Sequence, residues 1–428
     1  MEAVRVRSTH GGWRLGARWR RPAAAAVLAT TLAAVAVAGC GGALPAASAG
    51  ATGCGPAWTA AWHAAQQAVP GDQLAGRPLR MVVRPQASGE AVRLRLSNRH
   101  GDGPLTIGAV TLARAAGEPP VPVLVGGRPD VQVPAGAEVL SDPLPVPVPV
   151  VGGEPVAVAL YLTAVPATIS SHPVAMSTSW LSGPGDHTRA TGPAGFGTTL
   201  RSWPVLSGLE VHRTRPDGAL LVIGDSLVDG VGSTPDGDDR FPDQLAARLA
   251  AERPMTVLNA GLSRNQLLQD DPPAGGDAPS TRYDADVAPV PGVRDVLLLI
   301  GTNDLAAGAD ADGLQEGLRE FAERTRQSGL RVVLTTIPPS TSGGRDAPDV
   351  VAVRDAVNAW IRTEGPRWAD GVIDAATTLA DPGDPRRLRA EYDSGDGLHP
   401  SPAGYRALAA SVPVGALSGS PCRTPASG

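Results

Sequence analysis

Residues 219–227 read Ala219-Leu220-Leu221-Val222-Ile223-Gly224-Asp225-Ser226-Leu227. The first five are apolar with no polar alternation, which predicts a strand buried on both faces, as in a parallel sheet. Gly-Asp-Ser then interrupts the run and leaves a hydroxyl just past the strand's carboxyl end. In an open α/β sheet that edge is where ligands bind. Alone the tripeptide is weak, because Gly, Asp and Ser are also ordinary turn residues. It is not the Gly-x-Ser-x-Gly elbow of α/β-hydrolases, since position 228 is Val.

Toward the carboxyl terminus the same rhythm repeats. Thr256–Leu258, Val296–Ile300, Val332–Ile337 and Gly371–Ile373 are short apolar runs, and the intervening Asp243–Glu252, Leu314–Gln327 and Val351–Glu364 carry helical periodicity. Strands alternating with helices predict a doubly wound α/β domain with a parallel sheet over 217–413, followed by a tail at 414–428. The second strand ends in Asn259-Ala260-Gly261 and the third in Gly301-Thr302-Asn303-Asp304, so polar groups gather at the edge that holds Ser226. A glycine N–H and an asparagine amide are donors of the kind an oxyanion needs, and each is as readily a helix cap. Near the end, Asp396-Gly397-Leu398-His399 sets a carboxylate three residues before an imidazole, close enough to orient it. A turn capping the helix that begins near Pro402 is the plainer reading. His212, which precedes the first strand on the side away from this edge, reads as structural.

Toward the amino terminus the pattern becomes two-periodic. Val92, Leu94 and Leu96 alternate with Arg93, Arg95 and Ser97, a half-buried strand; Ile107–Ala113, Val121–Val125 and Val156–Leu162 read similarly. Pro143, Pro145, Pro147 and Pro149 alternate with apolar residues, so that stretch is an edge or extended connector. The expectation is an all-β sandwich at 77–200, a tether and N-terminal segment at 40–76, and a connector at 201–216.

Arg5, Arg7, Arg14, Arg18, Arg20 and Arg21 precede an uncharged run from Ala23 to Ala38, the pattern of a secretory signal at 1–39. The run is short of the roughly 20 residues a spanning helix needs. Arg20-Arg21 is followed by Pro22, which leaves the export route open. Val37-Ala38-Gly39-Cys40 resembles a bacterial lipobox, in which Cys40 is lipidated; cleavage after Ala36-Val37-Ala38, giving a soluble secreted protein, is the alternative. With lipid on Cys40, the cysteines remaining are Cys54 and Cys422, and an oxidising compartment favours their pairing.

All 37 basic residues are arginine. Without lysine there is no Gly-Lys-Ser/Thr phosphate loop, no Schiff-base chemistry and no Ser-x-x-Lys centre, and acid–base work falls to His, Asp, Glu, Tyr or Cys. The formal charge is −5, and residues 1–39 hold six Arg and one Glu, so the rest is more acidic still. Nucleic acid is a poor partner for such a chain, and membrane contact is expected only through the lipid anchor. Gly230-Val-Gly232-Ser-Thr-Pro235 lacks the third glycine of a dinucleotide loop. Asp236-Gly-Asp238-Asp239 lacks the later ligands of an EF-hand, and no Cys/His metal spacing occurs. No metal and no cofactor is expected.

Taken together, Gly-Asp-Ser-Leu at 224–227, Gly261, Gly-Thr-Asn-Asp at 301–304 and Asp-Gly-Leu-His at 396–399 resemble the GDSL, or SGNH, hydrolase superfamily. The resemblance covers about 200 residues and implies a flavodoxin-like three-layer fold and ester hydrolysis. By position it implies Ser226 as nucleophile, His399 as general base and Asp396 as the residue orienting it. The oxyanion hole is implied to be the Ser226 N–H, the Gly261 N–H and the Asn303 side chain. Asp393 competes with Asp396, but stands six residues from His399. One departure is Arg264, where a smaller residue is expected; it bears on the acyl pocket. Leu206–Leu227 with Asp229-Gly230, and Tyr392–Asp396 with Gly404-Tyr405, look like the subgroup common in actinobacteria, in which a β-sandwich often leads. Trp58–Trp62, Ser97-Asn98 and Pro104–Gly108 look like that leading region. The expected function is a secreted or surface-tethered serine esterase acting on short acyl, chiefly acetyl, groups of a small ester or acylated glycan. Two readings stay open beside it: an O-acyltransferase using a glycan hydroxyl as acceptor, and a non-catalytic glycan-binding lipoprotein.

Overall fold

The structure, a computed structural model, describes residues 54–422 except 115–117, 193–194 and 273, and leaves out the side chains of 145–149. Cys40 and the signal segment 1–39 lie outside the described residues.

Five parallel strands form the carboxyl-terminal sheet: β1 (Ala219–Gly224), β2 (Thr256–Gly261), β3 (Val293–Leu299), β4 (Arg331–Thr335) and β5 (Gly371–Ile373). Their order is β2-β1-β3-β4-β5, the flavodoxin-like order, and the winding reverses between β1 and β3. Helices α1 (Ser226–Asp229), α2 (Phe241–Glu252), α3 (Thr302–Ala306), α4 (Ala311–Gln327), α5 (Pro348–Thr363) and α6 (Pro402–Ser411) complete the layers that matter here. The unbroken apolar runs are explained by burial on both faces. Leu220, Val222, Leu297 and Leu299 face Phe241, Leu245, Tyr405 and Leu408 of α2 and α6. Leu221, Ile223, Val296 and Leu298 share the other core with Leu314, Phe321, Val357 and Ile361 of α4 and α5.

The leading region is all-β. In one antiparallel sheet Leu206–Arg213 lies between Ala57–His63 and Gly89–Asn98, and the latter also pairs with Ala137–Leu140 and the proline-alternating Leu144–Val150. The second sheet runs Phe196–Leu200, Ser179–Ser182, Pro78–Val83, Val156–Ala164 and Leu105–Arg114, and a small third sheet holds Trp203–Pro204, Thr168–His172 and Gln67–Pro70. Leu79, Met81, Leu94, Leu96, Ile107, Leu112 and Leu160 fill one shared core. The expected boundaries change accordingly. Residues 57–63, within the supposed tether and N-terminal segment, and 206–213, within the supposed connector, are strands of the sandwich. Local periodicity could not show a pairing between segments so far apart in the chain.

The alternation in Gly89–Asn98 is also not what it suggested. Its arginines do not face open water: Arg93 and Arg95 pair with the buried carboxylate of Glu210, and Arg95 also reaches the Pro289 carbonyl of the α/β domain at 3.5 Å. The sandwich packs directly on the α/β domain. Ala60 and Ala65 enter the core beside Leu258 and Ala260, and the Ala60 N–H donates to the Pro291 carbonyl at 2.9 Å. The acidic loop after α1 straps across: Asp236 accepts from the Thr178 N–H and hydroxyl at 2.6 and 2.7 Å, and Asp238 pairs with Arg84 at 2.6 Å. Cys54 and Cys422 are disulfide-bonded, with Cα atoms 4.7 Å apart.

Candidate active site

β1 delivers Ser226 to the carboxyl edge of the sheet as the first residue of α1. The turn is held by Asp225, whose Oδ1 accepts from the Leu227 N–H at 2.9 Å as N-cap, and Gly230 ends the helix at φ 106. Burial pushes the Asp225 carboxyl up to about 7, against the opposing pull of that N–H. Its Oδ2 has no partner among the described residues.

The loop before α6 brings a base to this serine. His399 Nε2 lies 2.9 Å from Ser226 Oγ, and His399 Nδ1 lies 2.6 Å from Asp396 Oδ2. Asp396 Oδ1 accepts from the N–H groups of Leu398 and His399, at 2.9 and 2.8 Å, so the carboxylate is fixed before it meets the ring. Desolvation works to raise the Asp396 pKa, but the ring and these two N–H groups outweigh it and hold the carboxyl below its ordinary value. Asp393 instead accepts from the N–H groups of Gly395 and Gly397, which shapes the turn. A hydroxyl, imidazole and carboxylate in hydrogen-bonded series can activate the hydroxyl as a nucleophile.

These residues open on a cavity of about 500 Å³, whose walls include Val174, Ser226, Arg264, Asn303, Arg345 and His399. Asn303, at the start of α3, donates one Nδ2 hydrogen to the Asn265 carbonyl at 3.0 Å, and its Oδ1 accepts from Arg345 at 3.1 Å. The Arg345 contact fixes which end of the amide is the donor and places a guanidinium behind it. Burial lowers the Arg345 pKa, with Asp225 partly opposing, and no carboxylate pairs with it among the described residues. Asp304, the next motif residue, turns inward and accepts from the N–H groups of Leu267 and Leu268 at 3.0 Å, pinning the loop after β2.

Gly261 is not part of this cavity. Its N–H donates to Asn259 Oδ1 at 2.8 Å, and a Cβ there would stand 2.3 Å from the backbone nitrogen of Asp229. The glycine is required by the close passage of α1 over β2, not as a donor. The residue that the cavity does expose is Arg264, with φ 69, and its N–H has no partner among the described residues. That left-handed conformation explains why a smaller residue was expected there. Arg345 and Val174 could not be found from the sequence: Arg345 sits in an aperiodic loop, and Val174 belongs to the sandwich.

Fold and site together define a class: an α/β protein with a hydroxyl, an imidazole and a carboxylate in hydrogen-bonded series at a topological switch point. The GDSL-like lipase/acylhydrolase family model matches residues 222–407, a little under half of the chain. The chain matches no curated protein. Solved structures similar to it include an acetyl xylan esterase variant from Geobacillus stearothermophilus, at 22% identity, covering 45% of this chain and 92% of that one with a TM-score of 0.35. An aryl esterase from M. smegmatis is 20% identical, with 45% and 95% covered and a TM-score of 0.36. A carbohydrate acetylesterase from Sinorhizobium meliloti is 16% identical, with 45% and 94% covered and the same score.

Proposed function

We propose that the protein is a serine esterase that removes short acyl groups, chiefly acetyl, from a small ester or an acylated carbohydrate. The observation that carries this is the unbroken series from Ser226 Oγ to His399 to Asp396, at 2.9 and 2.6 Å, opening on the cavity. His399 takes the serine proton as Oγ attacks the ester carbonyl. The tetrahedral oxyanion is met by the N–H groups of Ser226 and Arg264 and by the second Nδ2 hydrogen of Asn303. The imidazolium then protonates the leaving alcohol, and water, activated by the same ring, releases the acid. Val174, Ala306, Ala307 and Leu398 make an apolar wall of small and medium side chains that suits a short acyl chain. Gln266, Asp271 and the two arginines make a polar rim that suits a hydroxyl-rich alcohol.

In this proposal the chain is exported and held at the cell surface by lipid on Cys40. The Cys54–Cys422 disulfide is at home in an oxidising compartment. The test is a screen of p-nitrophenyl esters of rising chain length and of acetylated glycans, with S226A as control. Acetate should be released fastest, and S226A should lose at least about 10³-fold in kcat. Retained turnover in S226A contradicts the proposal.

A further inference from the structure

The clearest feature that the hydrolytic reading leaves unused is a buried histidine from the other domain. Thr168–His172 ends with the His172 ring inserted behind α1, where the ring and the Asp229 carboxylate are both almost wholly shielded from water. Nδ1 lies 2.9 Å from the Ala65 carbonyl; Nε2 lies 3.1 Å from the Val174 carbonyl and 2.9 Å from Asp229 Oδ1. Each ring nitrogen therefore faces an acceptor, and only the doubly protonated ring can donate on both sides. Trp203 stacks on it with ring centres 5.3 Å apart. The other charged group near the ring, Arg240, is committed to Asp243 at 2.7 Å. Desolvation opposes a charged ring here, but Asp229 and the Ala65 carbonyl outweigh it and raise the pKa.

Asp229 passes the contact on. It is the last residue of the helix that Ser226 begins, and its Oδ2 accepts both the Ser263 N–H, at 2.9 Å, and the Ser263 hydroxyl, at 2.5 Å. Ser263 and Arg264 line the cavity, and Arg264 is held in a conformation that an arginine does not adopt unforced. Val174, two residues beyond His172, lines the same cavity. We propose that His172 is a positioning residue of the ester-hydrolysing site: acting through Asp229, it clamps the Ser263–Arg264 turn beside Ser226, so the β-sandwich is a working part of the site. This rests on the hydrolase reading above. Without the ring, the buried Asp229 carboxylate loses the group beside its Oδ1 and is free to turn or admit water. That loosens its hold on Ser263, and the Arg264 N–H drifts from where the oxyanion forms. The loss falls on the transition state more than on substrate binding.

The experiment is a double-mutant cycle on the full chain, using p-nitrophenyl acetate hydrolysis and the rate at which a fluorophosphonate labels Ser226. H172A should lower kcat about 10–100-fold with KM changed less than about threefold, and labelling should slow in parallel. H172Q, which keeps one donor, should fall between H172A and the wild type. S263A should be lower too, and combining it with H172A should cost much less than the product of the two single losses. Near-UV circular dichroism reports whether each variant is folded; if H172A is not, the cycle is run with H172Q. A folded His172 variant with kcat within twofold of wild type, or strictly multiplicative losses, overturns the inference alone. A wild type inert to both ester and phosphonate overturns the hydrolase reading and this inference with it.

Discussion

A serine hydroxyl is a poor nucleophile near neutral pH unless a base stands within hydrogen-bond reach and the product charge has somewhere to go. In the proposed mechanism His399 meets the first need, and the second falls to backbone and amide donors held in place by Arg345 on Asn303 and by Asp229 on Ser263. Asp225 shows the cost of so tight a turn. With its carboxyl raised to about 7, it favours the folded state while protonated, and that contribution is lost as pH rises from about 4 through 7. Asn at this position can still accept from the Leu227 N–H and has no charge to bury. D225N should therefore gain stability relative to wild type as pH increases across that window, measured by urea unfolding at pH 5 and pH 8. Parallel behaviour of the two proteins would show that Asp225 is not buried as described.

At the scale of the element, β1, β3 and the helices flanking them were readable because a parallel strand buried on both faces has an unmistakable composition. Ser226, Asn303, Asp396 and His399 were readable as blocks that close strands or precede a helix. What failed was Gly261, and the reason is physical. A glycine at a strand end can serve as a donor or simply make room, and only the crossing of α1 over β2 shows which. G261A should test this crossing, because the added Cβ meets backbone atoms of Val228 and Asp229 that cannot yield without moving the helix that carries Ser226. A destabilisation of about 1–3 kcal/mol in urea, with reduced kcat, is expected. A neutral substitution would mean that the glycine is not there for close packing.

Across the whole molecule, the two-domain reading holds in kind but not in independence. The sandwich borrows Ala57–His63 and Leu206–Arg213 from segments that read as linkers; Arg93 and Arg95 pair with Glu210 of the borrowed strand, and Arg95 also reaches the Pro289 carbonyl of the α/β domain. None of this was legible, because pairings across such distances leave no local periodicity. The Cys54–Cys422 bridge spans 368 residues and joins the start of the sandwich to the strand-flanking tail of the α/β domain. Replacing both cysteines by serine should cost up to about 6 kcal/mol of unfolding free energy, the chain-entropy value for a loop this long, mostly by releasing the unfolded chain. No change under non-reducing conditions would mean that the bridge is not formed.

The central claim is that one hydroxyl, Ser226, carries the acyl group. Mass spectrometry of the protein quenched in acid during turnover of an activated acetyl ester tests it most directly. The account predicts a single acetyl group on the peptide containing Ser226, absent from S226A. Acetyl on a different residue, or full turnover by S226A without any acyl-enzyme, would contradict it.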